Sequence, residues 1–362
     1  MADCFNVVDL FCGAGGMSYG FELYNDSNGN RFRVISGLDN QPDALATFYR
    51  NHVDANKAFN KPVDISKITA AELRSGLGLR DFDVIVGGPP CQGFSHAGPR
   101  NPMDKRNSLV WEYLRFVEEL KPVVFMMENV PGLLRAKRPE EDPLIQQVMR
   151  KFTMIGYATT LHEVNAVEYG VPQNRKRVLI TGKLGGPPIQ TPAQKNSDQI
   201  DIYLLRKPLV TSGEAILDLP TPKSKEPQEY DKPPASDYQR LMRRHSCQVF
   251  NHTPARHSPQ IVERIRLQAP GTRLYKNWNH SWYKLDPKKP SPTVKENHRA
   301  PFVHPVEPRV TTPRECARLQ SFPDRFVFCG TKSSQLVQIG NAVPPLLLRA
   351  FAETILDSIT GS

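Results

Sequence analysis

Four short, nearly continuous apolar stretches, Phe5–Phe11, Arg33–Asp39, Asp83–Gly88 and Val123–Glu128, run into a glycine or an acidic residue, as strands buried in a parallel sheet do. Between them lie segments with a helical apolar period: Met17–Tyr24, Pro42–Asn51, Ser108–Leu120 and Leu144–Ile155. Strand and helix in alternation predict an open, mostly parallel, doubly wound α/β sheet. A last strand-like run, Arg177–Lys183, gives way to Gly185-Gly186-Pro187-Pro188 and then to a stretch rich in Pro, Lys and Gln, which marks a domain boundary. Residues 186–329 have weak periodicity and predict a smaller, irregular domain. Gln335–Ile359 regains a helix-like pattern, broken early by Pro344-Pro345, and is expected to return to the first lobe. The expected division is therefore 1–185 plus 330–362 against 186–329. No solenoid repeat and no heptad seam is present.

Composition adds a partner. The chain carries a net charge of +10, yet Arg240 to Arg299 holds 13 Lys and Arg against Glu263, Asp286 and Glu296, leaving 34 basic and 34 acidic residues elsewhere. All of the excess thus sits in one segment, with Tyr275, Trp278, Trp282 and Tyr283 among the basic residues, an arrangement suited to phosphate contacts and aromatic packing against nucleic acid. No apolar run approaches the roughly 20 residues that span a bilayer, and Met1-Ala2-Asp3-Cys4 lacks a signal-peptide pattern, so no membrane partner and an intracellular location are expected. Cys4, Cys12, Cys91, Cys247, Cys316 and Cys329 are too scattered for a disulfide scaffold and predict free thiols.

Three motifs carry chemistry. Asp9-Leu10-Phe11-Cys12-Gly13-Ala14-Gly15-Gly16 joins a strand to a helix, where glycines let a ligand approach the backbone. Such a turn serves NAD, FAD or S-adenosylmethionine, or is merely tight; without a following Gly-Lys-Ser/Thr it is no triphosphate loop. Asp39, closing the second strand, stands where a carboxylate accepts from ribose hydroxyls, and Asp64 where one accepts from an adenine amino group. Taken alone, either reads more readily as an ordinary turn or capping aspartate. In Gly87-Gly88-Pro89-Pro90-Cys91-Gln92-Gly93-Phe94-Ser95 two prolines fix the backbone just before a thiol, at the strand end where open sheets gather ligands. A cysteine alone reads as a small apolar residue; its Pro-Pro-Cys-Gln setting marks Cys91 as functional. Glu128-Asn129-Val130 hangs a carboxyl over the same sheet edge, and a charge closing a buried strand needs a reason. In Gln173-Asn174-Arg175-Lys176-Arg177 the alternate residues Gln173, Arg175 and Arg177 would face one way if extended, offering two guanidinium groups to a base carbonyl and a phosphate.

In this order the elements resemble the cytosine-5 DNA methyltransferase family, marked by Phe-x-Gly-x-Gly, Pro-Cys, Glu-Asn-Val and Gln-x-Arg-x-Arg. Two further marks follow, Arg314-Glu315-Cys316-Ala317-Arg318-Leu319-Gln320-Ser321-Phe322-Pro323 and Gln338-Ile339-Gly340-Asn341-Ala342-Val343-Pro344-Pro345, so the similarity spans 5–350 apart from the middle segment. The resemblance implies a Rossmann-like, S-adenosylmethionine-dependent methyltransferase fold with a target-recognition domain, and duplex DNA as substrate. It implies that the Cys91 thiolate adds to carbon 6 of a flipped-out cytosine. Glu128 would manage the proton at N3, with a pKa raised by burial, and Arg175 and Arg177 would hold the cytosine oxygen and adjoining backbone. For the cofactor it implies Phe11, Gly13, Ala14, Gly15, Gly16, Met17, Asp39, Asn40, Asp64, Ile65 and Pro90, closed by Asn341 and Val343. Asp39-Asn40 departs from the glutamate and aromatic residue of many members, which puts stacking on the adenine in doubt. The stretch from Gln92 to Ser108 resembles the family's mobile DNA-closing loop, with Ser95 and His96 as candidate gap fillers. Gln92, Ser95, His96, Arg106, Gln173, Arg243, Arg244, Arg256, Arg273 and Lys276 are the expected DNA contacts.

Rival readings explain less. His245, Cys247, His252 and His257 fit no common zinc spacing, so no metal is expected, and His280, His298 and His304 read as DNA-facing or structural. The family's transfer-RNA branch carries Cys-Phe-Thr in the middle lobe, which is absent here. A silent DNA-binding module would have lost the nucleophile or the cofactor turn, and a nicotinamide oxidoreductase leaves Pro-Pro-Cys and Gln-x-Arg-x-Arg unexplained. The chain resembles compact, monomeric bacterial modification enzymes of the cytoplasm that are paired with a cognate restriction endonuclease, and an orphan methyltransferase would look the same. The recognised sequence is not legible, because groove contacts depend on loop geometry and DNA shape.

Overall fold

A computed structural model describes residues 4–27, 29–90, 108–135, 142–198, 206–275 and 282–361. They form two compact units. The first comprises Met1–Asn165, Lys176–Ala193 and Leu347–Ser362, and the second Ala166–Arg175 and Gln194–Leu346.

The first unit is built on six strands: β1 (Phe5–Leu10), β2 (Phe32–Leu38), β3 (Val84–Gly87), β4 (Val124–Asn129), β5 (Tyr157–Asn165) and β6 (Lys176–Leu184). Their order is β2-β1-β3-β4-β6-β5. The pairs β1/β2, β1/β3 and β3/β4 are parallel, and β4/β6 and β5/β6 antiparallel. Helices α1 (Gly16–Glu22), α2 (Pro42–Asn51), α3 (Ala70–Leu77), α4 (Ser108–Leu120) and α5 (Leu144–Met154) accompany them. The central strands are apolar because both faces are covered: Val7, Val8, Val84, Ile85, Val86, Val124, Phe125 and Met126 are all buried. Against Phe125 the α5 residue Phe152 stacks at 4.0 Å and Tyr157 meets it edge-on at 5.0 Å.

The edge strand β5 was not predicted. Four consecutive residues, Ala158–Leu161, are half-buried and Glu163 is exposed, while His162 is buried. The ring nitrogens of His162 contact the Thr191 and Thr181 hydroxyls, each at 2.8 Å, and its edge meets Phe351. Burial pushes the His162 pKa down from 6.5 to about 4. On acidification the unfolded chain therefore takes up a proton first, so this contribution to stability is full above the unfolded value and lost as pH falls towards 4. The expected loss is about 2 kcal/mol by about pH 5. Urea unfolding should show the midpoint dropping less between about pH 7.5 and about pH 5 in His162→Gln than in the wild type, the acid-sensitive group being gone.

The second unit is irregular, with helices α6 (Ser212–Ile216), α7 (Asp237–Arg243), α8 (Pro259–Leu267), α9 (Pro313–Leu319) and α10 (Lys332–Asn341). Its described strands are two-residue pairs. Every residue of α9 is buried, charged ones included. Arg318 bonds both Asp324 oxygens at 2.6 Å and Asp218 at 3.2 Å, Arg314 donates to the Phe250, Pro323 and Phe326 carbonyls, and Arg309 grips Glu315 through two bonds. The Arg314–Pro323 motif is thus the unit's polar core, its buried charges paired as burial demands.

The tail divides differently from the expected return of 330–362 to the first lobe. Residues 332–341 form α10 within the second unit, where Ile339 and Ala342 carbonyls accept from Gln320. Pro345 then opens α11 (Pro345–Thr360), and only from Leu347 does the chain belong to the first unit.

Candidate active site

The glycine-rich turn leaves β1 in left-handed conformations: Phe11 has φ 61°, Gly13 φ 51° and Gly15 φ 91°. The Gly13 N–H donates to Asp39 Oδ2 and the Gln41 N–H to Asp39 Oδ1, both at 2.8 Å, so one carboxylate ties the turn to the end of β2. Burial raises the Asp39 pKa against these bonds. Each oxygen keeps a lone pair for a further donor, and a side chain built at Gly13 would meet open space. An anionic acceptor beside exposed backbone suits a ribose and an amino-acid moiety, the two polar parts of S-adenosylmethionine. Ala14, Gly16 and Met17 are buried beneath. Asn40 is exposed. The Asp39 carbonyl accepts from Val63, which brings the 63–65 segment alongside. There Asp64 Oδ1 caps a short 3-10 turn through the Ser66 N–H at 3.1 Å and hydroxyl at 2.7 Å, and Ile65 is buried. The capping reading of Asp64 is thus the geometry seen, with Oδ2 standing 3.9 Å from Lys67.

The second cluster lies at the ends of β3 and β4. Gly87 permits a close approach, since a Cβ there would fall 2.3 Å from the Leu10 carbonyl. The Tyr113 hydroxyl donates to the Ile85 and Met126 carbonyls, pinning α4 to both strands. Asn129 Nδ2 donates to the Pro89 carbonyl at 3.1 Å, and Asn129 Oδ1 accepts from Val130. The asparagine of Glu-Asn-Val thereby holds the backbone two residues before Cys91, a role the sequence alone did not disclose. Glu128 Oε2 lies over Gly88, 3.3 Å from where a Cβ would sit. Glu128 Oε1 stands 2.7 Å from Arg177 Nε, with both side chains only about a tenth exposed (12% and 11%). Burial lowers the Arg177 pKa and the Glu128 charge opposes that shift. Such a pair, open on one side to the sheet edge, can hold a polar ring by its carbonyl and its ring nitrogen.

The C-5 cytosine-specific DNA methylase family matches residues 5–357 of the chain. The chain belongs to that family. This cytosine-5 methyltransferase is 34% identical to the type II methyltransferase M.DdeI of Desulfomicrobium norvegicum, covering 97% of this chain and 88% of that protein. It is 32% identical to M.AgeI of Thalassovita gelatinovora, covering 98% and 99%. Among solved structures, a prophage-encoded E. coli protein described as a DNA modification methyltransferase matches with TM-score 0.76 and 26% identity over 98% of this chain and 99% of that one. The S. pombe Dnmt2 methyltransferase, at 16% identity and TM-score 0.62 over 98% and 99%, shares the fold. The α/β class and the mostly parallel sheet read from the sequence are those of the family.

Several of the other expected site residues belong to the second unit. β6 begins only at Lys176; ahead of it the Gln173 and Arg175 side chains both reach Val294, whereas Arg177 pairs with Glu128. Gln173 is buried, donating to the Leu319 carbonyl and Gln320 while accepting from the Val294 N–H. Arg175, 1% exposed, donates to the Val294, Gly340 and Ala342 carbonyls. Both therefore brace the second unit through partners within it. Arg243 bonds Asp218 and the Lys232 carbonyl and lies over the Tyr230 ring. Arg244, Arg256 and Arg273 are exposed on the second unit. Asn341 and Val343 also lie in the second unit, the first exposed and the second buried. Cys91, Gln92, Ser95, His96, Arg106 and Lys276 lie outside the described residues.

Among the described residues no group of His, Cys, Asp and Glu could hold a metal, and His252 is instead bound to Thr312 and the Pro220 carbonyl. No described helix is long and apolar enough to cross a membrane. The five described cysteines are free thiols.

Proposed function

We propose that the chain methylates carbon 5 of a flipped-out cytosine at one short duplex sequence, as the modification enzyme of a restriction-modification system. The observation that carries the reading is the Glu128–Arg177 pair beside the Gly88-Pro89-Pro90 backbone, with the Gly13–Asp39 cradle on the neighbouring strand ends of the same sheet. The relatives' names as type II methyltransferases support the system assignment.

S-adenosylmethionine, when bound, supplies an electrophilic methyl group on a sulfonium. Asp39 would accept from its ribose, and the Gly13–Gly16 backbone would line its amino-acid moiety. Carbon 5 of cytosine is too weak a nucleophile to take that methyl unaided. The Cys91 thiolate adds to carbon 6, the ring electrons move to carbon 5, and the charge reaching N3 is relieved by a proton held at Glu128. Arg177, fixed on Glu128, holds the cytosine oxygen and so sets the ring over Cys91. Loss of the carbon-5 proton then expels the thiolate. Arg244, Arg256 and Arg273, exposed on the irregular unit, are read as phosphate contacts of target recognition.

Genomic bisulfite sequencing of an expressing host tests both activity and site. Protection of cytosine within one short motif is expected. Label from the methyl donor that appears only on exocyclic amines, or no 5-methylcytosine on any duplex, overturns the reading.

A further inference from the structure

Beneath the cofactor turn lies a buried polar group that the chemistry above does not use. Ser18, on α1, and His52, which caps the C-terminal end of α2, are both at most 1% exposed. The Ser18 hydroxyl is 3.2 Å from the Gly15 carbonyl and 3.2 Å from His52 Nε2. On the far side of the ring, Glu22 Oε2 stands 2.9 Å from Nδ1. The Ser18 N–H donates to Asp9 Oδ2 at 3.3 Å, and Asp9 Oδ1 has no partner among the described residues. The imidazole also occupies the space that Gly15 leaves: a Cβ there would fall 2.7 Å from Nε2 and 2.9 Å from the Phe48 ring, which packs on His52 at 4.3 Å.

β1, α1 and α2 thus converge on the underside of residues 13–16. A serine hydroxyl has one proton and two lone pairs, so a single oxygen fixes both the direction of the Gly15 carbonyl and the seat of the ring. Gly15, at φ 91°, has no side chain of its own to resist a change of backbone conformation. The ring is backed by the aromatic ring of Phe48, with the Glu22 carboxylate near its far nitrogen, and so serves the turn as a floor. The Gly15 carbonyl already accepts the Tyr19 N–H at 2.9 Å, so the Ser18 hydroxyl is its second donor; an apolar filling of this space would pack equally well but would leave the Gly15–Gly16 peptide plane held by the helical bond alone.

We propose that Ser18 and His52 are positioning residues for S-adenosylmethionine, locking the Gly13–Gly16 turn in its binding shape without touching the cofactor. The proposal rests on the reading of that turn as the cofactor site. The test titrates S-adenosylhomocysteine into the purified full chain by calorimetry and measures KM and kcat for the methyl donor on a cognate duplex. Ser18→Ala deletes one oxygen, His52→Leu keeps bulk without a hydrogen bond, and Ser18→Thr restores the hydroxyl. Ser18→Ala and His52→Leu should weaken S-adenosylhomocysteine binding and raise the donor KM by about tenfold, with kcat changed by no more than about twofold. Ser18→Thr should recover most of the affinity, and the double variant should lose no more than either single one.

Wild-type binding with unaffected variants overturns the proposal alone, as does a Ser18→Ala chain that fails to fold, or an affinity loss that Ser18→Thr does not rescue. A wild-type chain that does not bind S-adenosylhomocysteine overturns the site assignment and the proposal with it.

Discussion

Cys91→Ser should bind DNA and S-adenosylhomocysteine as the wild type does, yet transfer methyl groups slower by on the order of ten thousandfold or more. The margin comes from proton affinity and softness. A thiol near neutral pH has a usable thiolate fraction, whereas a serine hydroxyl has almost no alkoxide unless a base takes its proton. On the proposed reading neither Glu128, placed at the N3 side of the ring, nor Arg177, a cation, serves as that base. Duplex DNA with 5-fluorocytosine at the target separates this from a binding defect, because fluorine cannot leave as a cation and the enzyme stays bonded to carbon 6. The wild type should give a protein–DNA band that survives denaturation, and Cys91→Ser none. A serine variant that methylates within about tenfold of the wild type would remove the covalent route.

How much of this was legible in the sequence depended on whether burial or partner choice decided each element. The central strands were readable because a strand covered on both faces must be apolar throughout, and Val84–Gly87 or Val124–Asn129 can hardly be anything else. β5 escaped because an antiparallel edge strand mixes half-exposed positions such as Thr159 and Thr160 with a buried histidine, and no continuous apolar run remains. The α3 helix is announced by the Thr69–Glu72 capping box and Gly78 in the left-handed conformation, signals present in the sequence but carried on eight residues of modest periodicity.

Membership of the two units was the least legible feature. Residues 166–175 interrupt the chain between two paired strands of the first unit, yet they belong to the second through Gln173 and Arg175, whose partners are carbonyls more than a hundred residues away. No local pattern encodes a carbonyl as a partner, so a buried arginine that braces backbone and an arginine that meets substrate look alike in sequence. The same ambiguity hid Asn129, whose amide anchors Pro89. Glu128 was easier: an ionisable group at the end of a buried strand has to be paired, and the pair is Arg177.

That pair carries the second large effect. If Glu128 shares a proton with N3 as proposed, Glu128→Gln removes that acid but keeps a neutral oxygen near Arg177, so the fold and the proposed cofactor cradle on the neighbouring strands should stand, while single-turnover methyl transfer falls by about a hundredfold to ten thousandfold. Arg177→Met should cost a comparable factor for a different reason: it leaves the Glu128 carboxylate without its cation and the cytosine oxygen without its donor. Because each residue works by holding the other as well as the ring, the two losses should not add. The double variant is expected within about tenfold of the slower single one, far above the product of the two defects. S-adenosylhomocysteine affinity, measured alongside, should stay near wild type in all three, since the cofactor cradle is made by Gly13 and Asp39 and not by this pair. Strict additivity would mean that Glu128 and Arg177 act on separate steps, and a Glu128→Gln enzyme with nearly full turnover would move the N3 proton to some other group. The 2.7 Å contact on the sheet edge would then be an ion pair of the scaffold alone.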